Sequence, residues 1–176
     1  LPRILSLKPT DDGYILQSNL IEGFDTMTQN ITKDELLGDV PTKFSYTKLQ
    51  ESIISFDVAL KRELELKISN NIGDSYVLKY SAENGILTAD RSKSGNVEFN
   101  EMFLKASVQT IDIGKQKNIS ITIGLDASSI EVFINDGEFV LTNQVFPNES
   151  YTNFEILPNE NLEIQNFKIQ SIKSTL

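Results

Sequence analysis

The chain has 176 residues, of which 39% are hydrophobic, 16 are Lys or Arg and 25 are Asp or Glu, so its formal net charge is −9. This acidic balance argues against nucleic acid or an anionic membrane surface as a partner. The absence of Cys excludes disulfides and thiolate metal sites, and the absence of His removes the usual general base and zinc ligand.

Short segments rich in Val, Ile, Phe and Tyr recur between clusters of Asn, Gly, Asp and Ser. This pattern predicts an all-β fold, an antiparallel two-sheet β-sandwich of the concanavalin-like or jelly-roll type. In chain order, strands are predicted near 3–7, 13–17, 42–46, 52–60, 63–68, 75–80, 86–90, 103–109, 118–125 and 154–157. A hairpin is predicted at 129–146 and a closing strand near 162–172.

Two segments of the chain depart from regular alternation. The segment 20–37, LIEGFDTMTQNITKDELL, neither alternates nor is rich in Pro, so it is predicted to be a short helix or a linker. In the closing segment, Leu162 and Ile164 alternate, and Phe167 and Ile169 continue in the opposite phase. That change of phase predicts a bulge or register shift within one long strand.

The hairpin has the clearest local signal. Asp136 and Gly137 lie between two alternating runs, and an Asp-Gly loop supplies the positive φ angles that a type I′ turn needs. One face of the hairpin is therefore expected to be core, with Glu131 on the opposite face. The predicted cross-strand pairs are Ile134 with Phe139, Val132 with Leu141, and Glu131 with Thr142.

Three segments carry a family resemblance. They are the hairpin itself, LTADRSKSG at 87–95, and Leu1-Pro2-Arg3 with Leu5 followed by YILQ at 14–17. Together they resemble the C-terminal β-sandwich domain of glycoside hydrolase family 32, whose members cleave fructose from sucrose, levan or inulin. The second is similar to the Asp-Arg-Ser…Ser-Gly segment of these domains, and the third resembles the strands that join propeller to sandwich.

The resemblance implies a non-catalytic accessory domain that stabilises the catalytic propeller of a β-fructosidase, such as an invertase, a sucrose-6-phosphate hydrolase or a levanase. In that family an N-terminal propeller uses an Asp nucleophile and a Glu acid/base for retaining hydrolysis. The motifs that carry those groups are absent from this chain, and Asn135-Asp136 is followed by Gly, as in a turn. We therefore expect no catalytic residue, metal or cofactor here, and hydrolysis only by a longer parent protein.

The same resemblance suggests how the chain is divided. Residues 1–40 are expected to be the interdomain linker and first strands, and residues 41–176 the β-sandwich. The propeller is expected to lie outside this chain, which also lacks an initiating Met. The sequence does not assign a compartment, because a cytosolic enzyme for phosphorylated sucrose and a secreted levanase could both carry such a domain.

Three charged residues are candidates for contact with the partner domain or with sugar. Asp90 and Arg91 end a run that reads as a buried strand, where loop anchoring and ion pairing are the favoured interpretation. Because adjacent strand residues point to opposite faces, these two need not pair with each other. Glu131 interrupts an apolar strand, although alternation already places it on the outer face.

Two other functions stay open at this point. A module that binds fructan or sucrose would need aromatic platforms, but the chain has no Trp, and Tyr76 and Tyr80 share a strand face with Leu78, which favours core packing. An oligomerisation domain is the other alternative, because an apolar surface along residues 1–17 could promote a homo-dimer. The principal expected partner is the N-terminal propeller of the same polypeptide, with neither nucleic acid nor membrane.

Overall fold

The computed structural model describes residues 1–59, 63–157 and 163–173. Within them, the strands in chain order are β1 (Arg3–Thr10), β2 (Gly13–Leu20), β3 (Thr28–Asn30), β4 (Leu37–Asp39), β5 (Lys43–Ser45), β6 (Ser52–Ala59), β7 (Leu64–Ser69), β8 (Ser75–Ser81), β9 (Ile86–Lys93), β10 (Val108–Asp112), β11 (Asn118–Asp126), β12 (Ser129–Ile134), β13 (Phe139–Gln144), β14 (Asn153–Leu157) and β15 (Glu163–Ile172). One short helix, α1, spans Glu101–Lys105, and single-turn 3-10 helices span Phe24–Met27, Lys33–Glu35 and Leu49–Glu51.

The strands form two packed antiparallel sheets, which confirms the predicted β-sandwich. The seven-stranded sheet has the order β10-β9-β8-β7-β14-β5-β4, and the six-stranded sheet has the order β13-β12-β11-β6-β15-β3. Strands β1 and β2 pair only with each other, as a separate two-stranded ribbon. We call this hairpin, Arg3–Leu20, the ribbon.

The core lies between the two sheets because alternate residues of each strand point inward. At its centre four aromatic rings pack together, with the Phe44 and Phe154 centroids 5.1 Å apart and Phe56 and Phe167 against them at edge-on or tilted angles. Tyr76 and Tyr80 are also buried here, at 1% exposure each. Such ring pairs add to the stabilisation that comes from burial alone.

A polar bridge crosses between the sheets at one side of the core. The Tyr76 hydroxyl donates to Asn143 Oδ1 at 2.8 Å, and Asn143 Nδ2 donates to Gln109 Oε1 at 2.8 Å. Tyr76 and Gln109 belong to the seven-stranded sheet, and Asn143 belongs to β13 of the other sheet. The bridge therefore satisfies buried polar groups and ties the two sheets together.

The predicted hairpin and the closing strand are confirmed. β12 and β13 pair in the predicted register, and both central turn residues, Asp136 (φ 55°) and Gly137 (φ 76°), have positive φ. In β15 the pairing with β6 shifts between Gln165 and Lys168, and Asn166 has φ 54°. The ends of two predicted strands, Leu60 and Leu162, lie outside the described residues.

One sequence-based prediction needs correction. The predicted strand at 103–109 is wrong over its first half, because Asn100 caps a helix there by accepting from the backbone nitrogens of Met102 and Phe103. The strand begins only at Val108. Segment 20–37, predicted to be a short helix or a linker, runs from the end of β2 to the start of β4 and contains two single-turn 3-10 helices with β3 between them.

Candidate functional site

The ribbon exposes an apolar face. Opposed residues in an antiparallel pair share a face, and the register places Leu7 opposite Leu16 and Pro9 opposite Tyr14. The exposed fractions on that face are 65% for Leu7, 56% for Leu16 and 73% for Tyr14. A two-stranded hairpin is marginally stable alone, so this uncovered face has the properties of a surface that packs on another body.

The ribbon is anchored on the outer face of the six-stranded sheet by Glu131. Arg3 Nε donates to Glu131 Oε2 at 3.0 Å, and Arg3 Nη2 also donates to this carboxylate. Arg3 Nη2 further donates to the Thr142 hydroxyl at 2.6 Å, and the guanidinium lies 5.3 Å from the centroid of the Phe133 ring. One acidic residue in an otherwise apolar strand thus holds the base of the ribbon.

Two opposing effects set the pKa of Glu131. Burial raises it, because a carboxylate loses hydration inside the protein, and the hydrogen bonds and positive charge of Arg3 lower it. The hydrogen bonds and nearby positive charge prevail, so the pKa of Glu131 lies below its ordinary value. The carboxylate is therefore ionised at neutral pH and remains paired with Arg3.

Close backbone approach completes the anchor. The Ser18 nitrogen donates to the Gly137 carbonyl at 2.9 Å, so β2 touches the turn between β12 and β13. A Cβ at Gly137 would lie 2.2 Å from the Ser18 carbonyl oxygen. The lack of a side chain at Gly137 thus allows both the positive φ of the turn and the close contact with Ser18 of the ribbon.

Arg91 lies in a different part of the molecule. It is 5% exposed, and its Nη2 donates to the carbonyls of Phe103 at 2.8 Å and Ala106 at 3.1 Å, at the end of α1. Its guanidinium carbon also lies 3.6 Å from the Phe103 ring centroid. Within the described residues, Arg91 Nη1 is buried without a hydrogen-bond partner. Arg91 therefore holds α1 against the sandwich.

The structure does not bring the three candidate residues together. Asp90 points to the outer face of the seven-stranded sheet and accepts from the Ser92 nitrogen at 2.8 Å, whereas Arg91 points inward from the next position. Glu131 lies on the outer face of the other sheet. A role for these residues in contacting sugar or a partner domain stays a prediction. Arg3 pairs with Glu131, although the sequence indicated Arg3 only as part of the family resemblance.

A groove with mixed polar and apolar lining lies on the seven-stranded sheet. Its volume is about 360 Å³, and its lining includes Glu63, Lys79, Asn84 and Thr88. Lys79 Nζ lies 2.9 Å from Oε2 of Glu65, which is another residue of the lining. Among the described residues, no cluster of three or more Asp or Glu could hold a metal ion, and no helix is long and apolar enough to cross a membrane.

Comparison with known proteins gives a consistent result. The family model described as "Glycosyl hydrolases family 32 C terminal" matches residues 19–171. A levanase of Bacillus subtilis is 26% identical over 181 residues, covering 98% of this chain and 27% of that protein. A sucrose-6-phosphate hydrolase of Streptococcus mutans is 33% identical over 106 residues, covering 58% of this chain and 20% of that protein.

Solved structures show the same fold. An exo-inulinase of Aspergillus awamori superposes with a TM-score of 0.76 at 21% identity, covering 99% of this chain and 36% of that one. A sucrose-6-phosphate hydrolase of Lactobacillus gasseri gives a TM-score of 0.72 at 19% identity, covering 98% of this chain and 33% of that one. The chain thus spans only about a quarter to a third of the length of these relatives.

Proposed function

Because the chain belongs to the family of C-terminal domains of family 32 glycosyl hydrolases, we propose that it stabilises the catalytic propeller of a longer β-fructosidase, as its non-catalytic accessory domain. The parent enzyme hydrolyses terminal fructosyl bonds of sucrose, sucrose 6-phosphate or fructans. The names of the relatives, levanase and sucrose-6-phosphate hydrolase, support this range of substrates. The 176-residue chain itself hydrolyses none of them.

One observation carries the proposal, namely the exposed apolar face of the ribbon. Leu5, Leu7, Tyr14 and Leu16 lie on it, each more than half exposed. Isolated exposed apolar side chains are ordinary, but a contiguous face on a protruding hairpin indicates a buried contact in the complete protein. The ribbon lies at the end of the chain that the longer relatives extend, so the catalytic propeller is its proposed partner.

The stabilising effect follows from linkage. A surface that binds only the folded state of its neighbour raises the free energy of unfolding of that neighbour. In this proposal residues 1–40 provide the linker, the ribbon and the first strands, and residues 41–176 provide the sandwich on which they are mounted. Strands β3 and β4, within 28–39, already pair in the two sandwich sheets.

The test uses the full-length enzyme with two pairs of substitutions in the ribbon. Leu7→Glu with Leu16→Glu places two charges on the apolar face, and Ser6→Glu with Gln17→Glu places the same charges on the opposite face of the same hairpin. Burying a leucine side chain contributes roughly 1.5–3 kcal/mol. We therefore expect the first pair to lower the melting temperature of the enzyme and to shorten several-fold the half-life of its sucrose-hydrolysing activity on heating. The control pair should change neither quantity.

The isolated chain distinguishes loss of docking from misfolding. Because Leu7 and Leu16 are exposed in it, both pairs of substitutions should leave its free energy of unfolding within about 0.5 kcal/mol of the wild type. Equal melting temperatures for both full-length variants would contradict the docking role. Sucrose or levan hydrolysis by the purified chain would contradict the assignment of the chemistry to the propeller.

Sugar binding is a second candidate function, favoured by the groove on the seven-stranded sheet. Its carboxylate, ammonium, amide and hydroxyl groups match the hydrogen-bonding groups of a sugar. An NMR titration of the chain with sucrose and short levan and inulin oligomers tests it. Saturable shifts confined to Glu63, Lys79, Asn84 and Thr88 would support binding, and unchanged spectra at millimolar sugar would reject it.

A further inference from the structure

Strand β10 is an open edge of the seven-stranded sheet. The backbone nitrogen of Arg91 donates to the carbonyl oxygen of Ser107 at 2.9 Å, and the backbone nitrogen of Ile113 donates to the carbonyl oxygen of Gly85 at 3.0 Å. Along an edge strand of an antiparallel sheet, the backbone N–H and C=O groups of successive residues point alternately toward the neighbouring strand and away from it. The N–H and C=O groups of Gln109 and Ile111 therefore also point to β9. The N–H and C=O groups of Val108, Thr110 and Asp112 therefore point away from the sheet.

This edge lacks the usual protection against strand pairing. Its sequence, VQTID, contains no Lys or Pro, and its pairing with β9 runs without a bulge. The other sheet edges differ, because β3 and β4 have only three residues each, and the ribbon contacts the Thr142 side chain of β13 and the turn at Gly137. Of the two described edge strands of the seven-stranded sheet, β10 is thus the longer, with five residues against three in β4.

We propose that β10 pairs with β10 of a second copy of this chain, antiparallel and around a two-fold axis at Thr110. In this register Thr110 faces Thr110 of the partner subunit, and Val108 faces Asp112 of the partner subunit. All three outward-pointing residues of each copy then form hydrogen-bonded pairs, and the two seven-stranded sheets become one continuous sheet. The proposal does not depend on the catalytic partner, because the ribbon lies on the other sheet.

The side chains and flanking segments suit this register. It opposes Asp112 to Val108 of the partner subunit, so no like charges face each other within the strand. The segment before the strand carries Glu98, Glu101 and Lys105, of which Lys105 pairs with Glu101, so its net charge is negative. Basic Lys115 and Lys117 follow the strand, and an antiparallel pair brings this positive segment beside the negative segment of the partner subunit. The exposed side chains of Met102 (72%) and Val108 (53%) add apolar surface beside the edge.

The experiment measures the mass of the 176-residue chain by sedimentation velocity between about 10 µM and about 1 mM, a range suited to an interface smaller than the standard size. We expect the wild type to shift from monomer toward dimer. Thr110→Glu, which opposes two carboxylates on the axis, should abolish the shift. Thr88→Glu adds the same charge to the same sheet face one strand inward, opposite Lys79, and should dimerise as the wild type does.

Two further measurements are specific to the edge. A mixture of Thr110→Glu and Thr110→Lys should dimerise when neither variant does alone, because opposite charges then meet on the axis. Hydrogen exchange at the Val108, Thr110 and Asp112 amides should slow as wild-type concentration rises. The proposal would be overturned if the wild type stays monomeric or if the Thr110→Glu variant still dimerises. It would also be overturned if the exchange rates of the edge amides do not change with protein concentration.

Discussion

Arg3 and Glu131 form an ion pair across 128 residues of sequence, in which Arg3 Nε donates to Glu131 Oε2 at 3.0 Å. The two side chains differ in exposure, with 28% for Arg3 and 5% for Glu131. The carboxylate is therefore a buried group of the sandwich, and the guanidinium reaches it from the ribbon. This ion pair, together with the Ser18–Gly137 hydrogen bond, joins the ribbon to the sheet on which it lies.

Removing the charge of Glu131 should loosen the ribbon. In Glu131→Gln, the amide keeps the shape of the side chain but weakens its hydrogen bonds with Arg3, because bonds to a charged acceptor are the stronger ones. We expect the Ser18 amide, which bonds to Gly137 O, to exchange about 5- to 30-fold faster, corresponding to roughly 1–2 kcal/mol.

A matched substitution isolates the effect of position from that of charge. Glu98→Gln removes the same charge from an exposed residue and should leave the exchange rate of Ser18 unchanged. Equal rates in wild type and Glu131→Gln would show that the ion pair does not hold the ribbon.

The contribution of Glu131 should depend on pH in one direction. The folded pKa lies below its ordinary value, and an unfolded Glu titrates near 4.3, so the folded state binds fewer protons than the unfolded state between these two values. The contribution of Glu131 to the free energy of unfolding is fully present above the pKa of Glu in the unfolded state. It is lost as pH falls through the pKa of Glu131 in the folded state.

The measurement compares urea unfolding of wild type and Glu131→Gln from pH 7 down to pH 3. The difference in free energy of unfolding should be constant above about pH 5.5 and should shrink below it. Asp74, whose pKa is also lowered, contributes to both proteins and cancels in the difference. A difference that grows on acidification would contradict this assignment.

A methyl group at Gly137, where the ribbon contacts the turn between β12 and β13, should lower the free energy of unfolding. Gly137→Ala adds a Cβ 2.2 Å from Ser18 O, at a residue with φ 76°, so both the turn and the contact are strained. We expect a loss of about 2–4 kcal/mol in urea unfolding. Gly23→Ala is the control, because its φ of 77° matches that of Gly137 but nothing lies within 4 Å, and it should cost only about 1–2 kcal/mol.

Arg91 should not tolerate replacement by Lys. A single ammonium cannot reproduce the planar guanidinium that bonds Phe103 O and Ala106 O and also stacks on the Phe103 ring. We expect Arg91→Lys to lower the free energy of unfolding by roughly 1–3 kcal/mol and to increase amide exchange in α1. Unchanged stability with weakened binding of sucrose would instead mark Arg91 as a sugar contact.

Local signals in the sequence were enough for some elements. The Asp136-Gly137 turn determines which residues of β12 and β13 can face each other, so the register of the hairpin follows from the turn. The change of phase between Ile164 and Phe167 likewise revealed the irregularity of β15, because a strand can turn a second set of side chains inward only by gaining or losing a residue.

Other features depend on contacts that local patterns do not contain. The apolar run around Phe103 reads as a strand, but Asn100 caps its start and Arg91 binds its end, so a helix forms there. Alternation placed Glu131 on the outer face, yet its partner Arg3 lies in the first strand of the chain. Neither interaction could be identified until the strands were arranged in three dimensions.

The anchor at Glu131 also has a consequence for the thermodynamics of association. A free hairpin of this length would sample many conformations, and a partner that bound it would have to bear the entropy of ordering it. Here Arg3 and Ser18 order the base of the ribbon during folding of the sandwich itself. The apolar face is thus preorganised, and more of the free energy of burying Leu7 and Leu16 remains available as binding affinity.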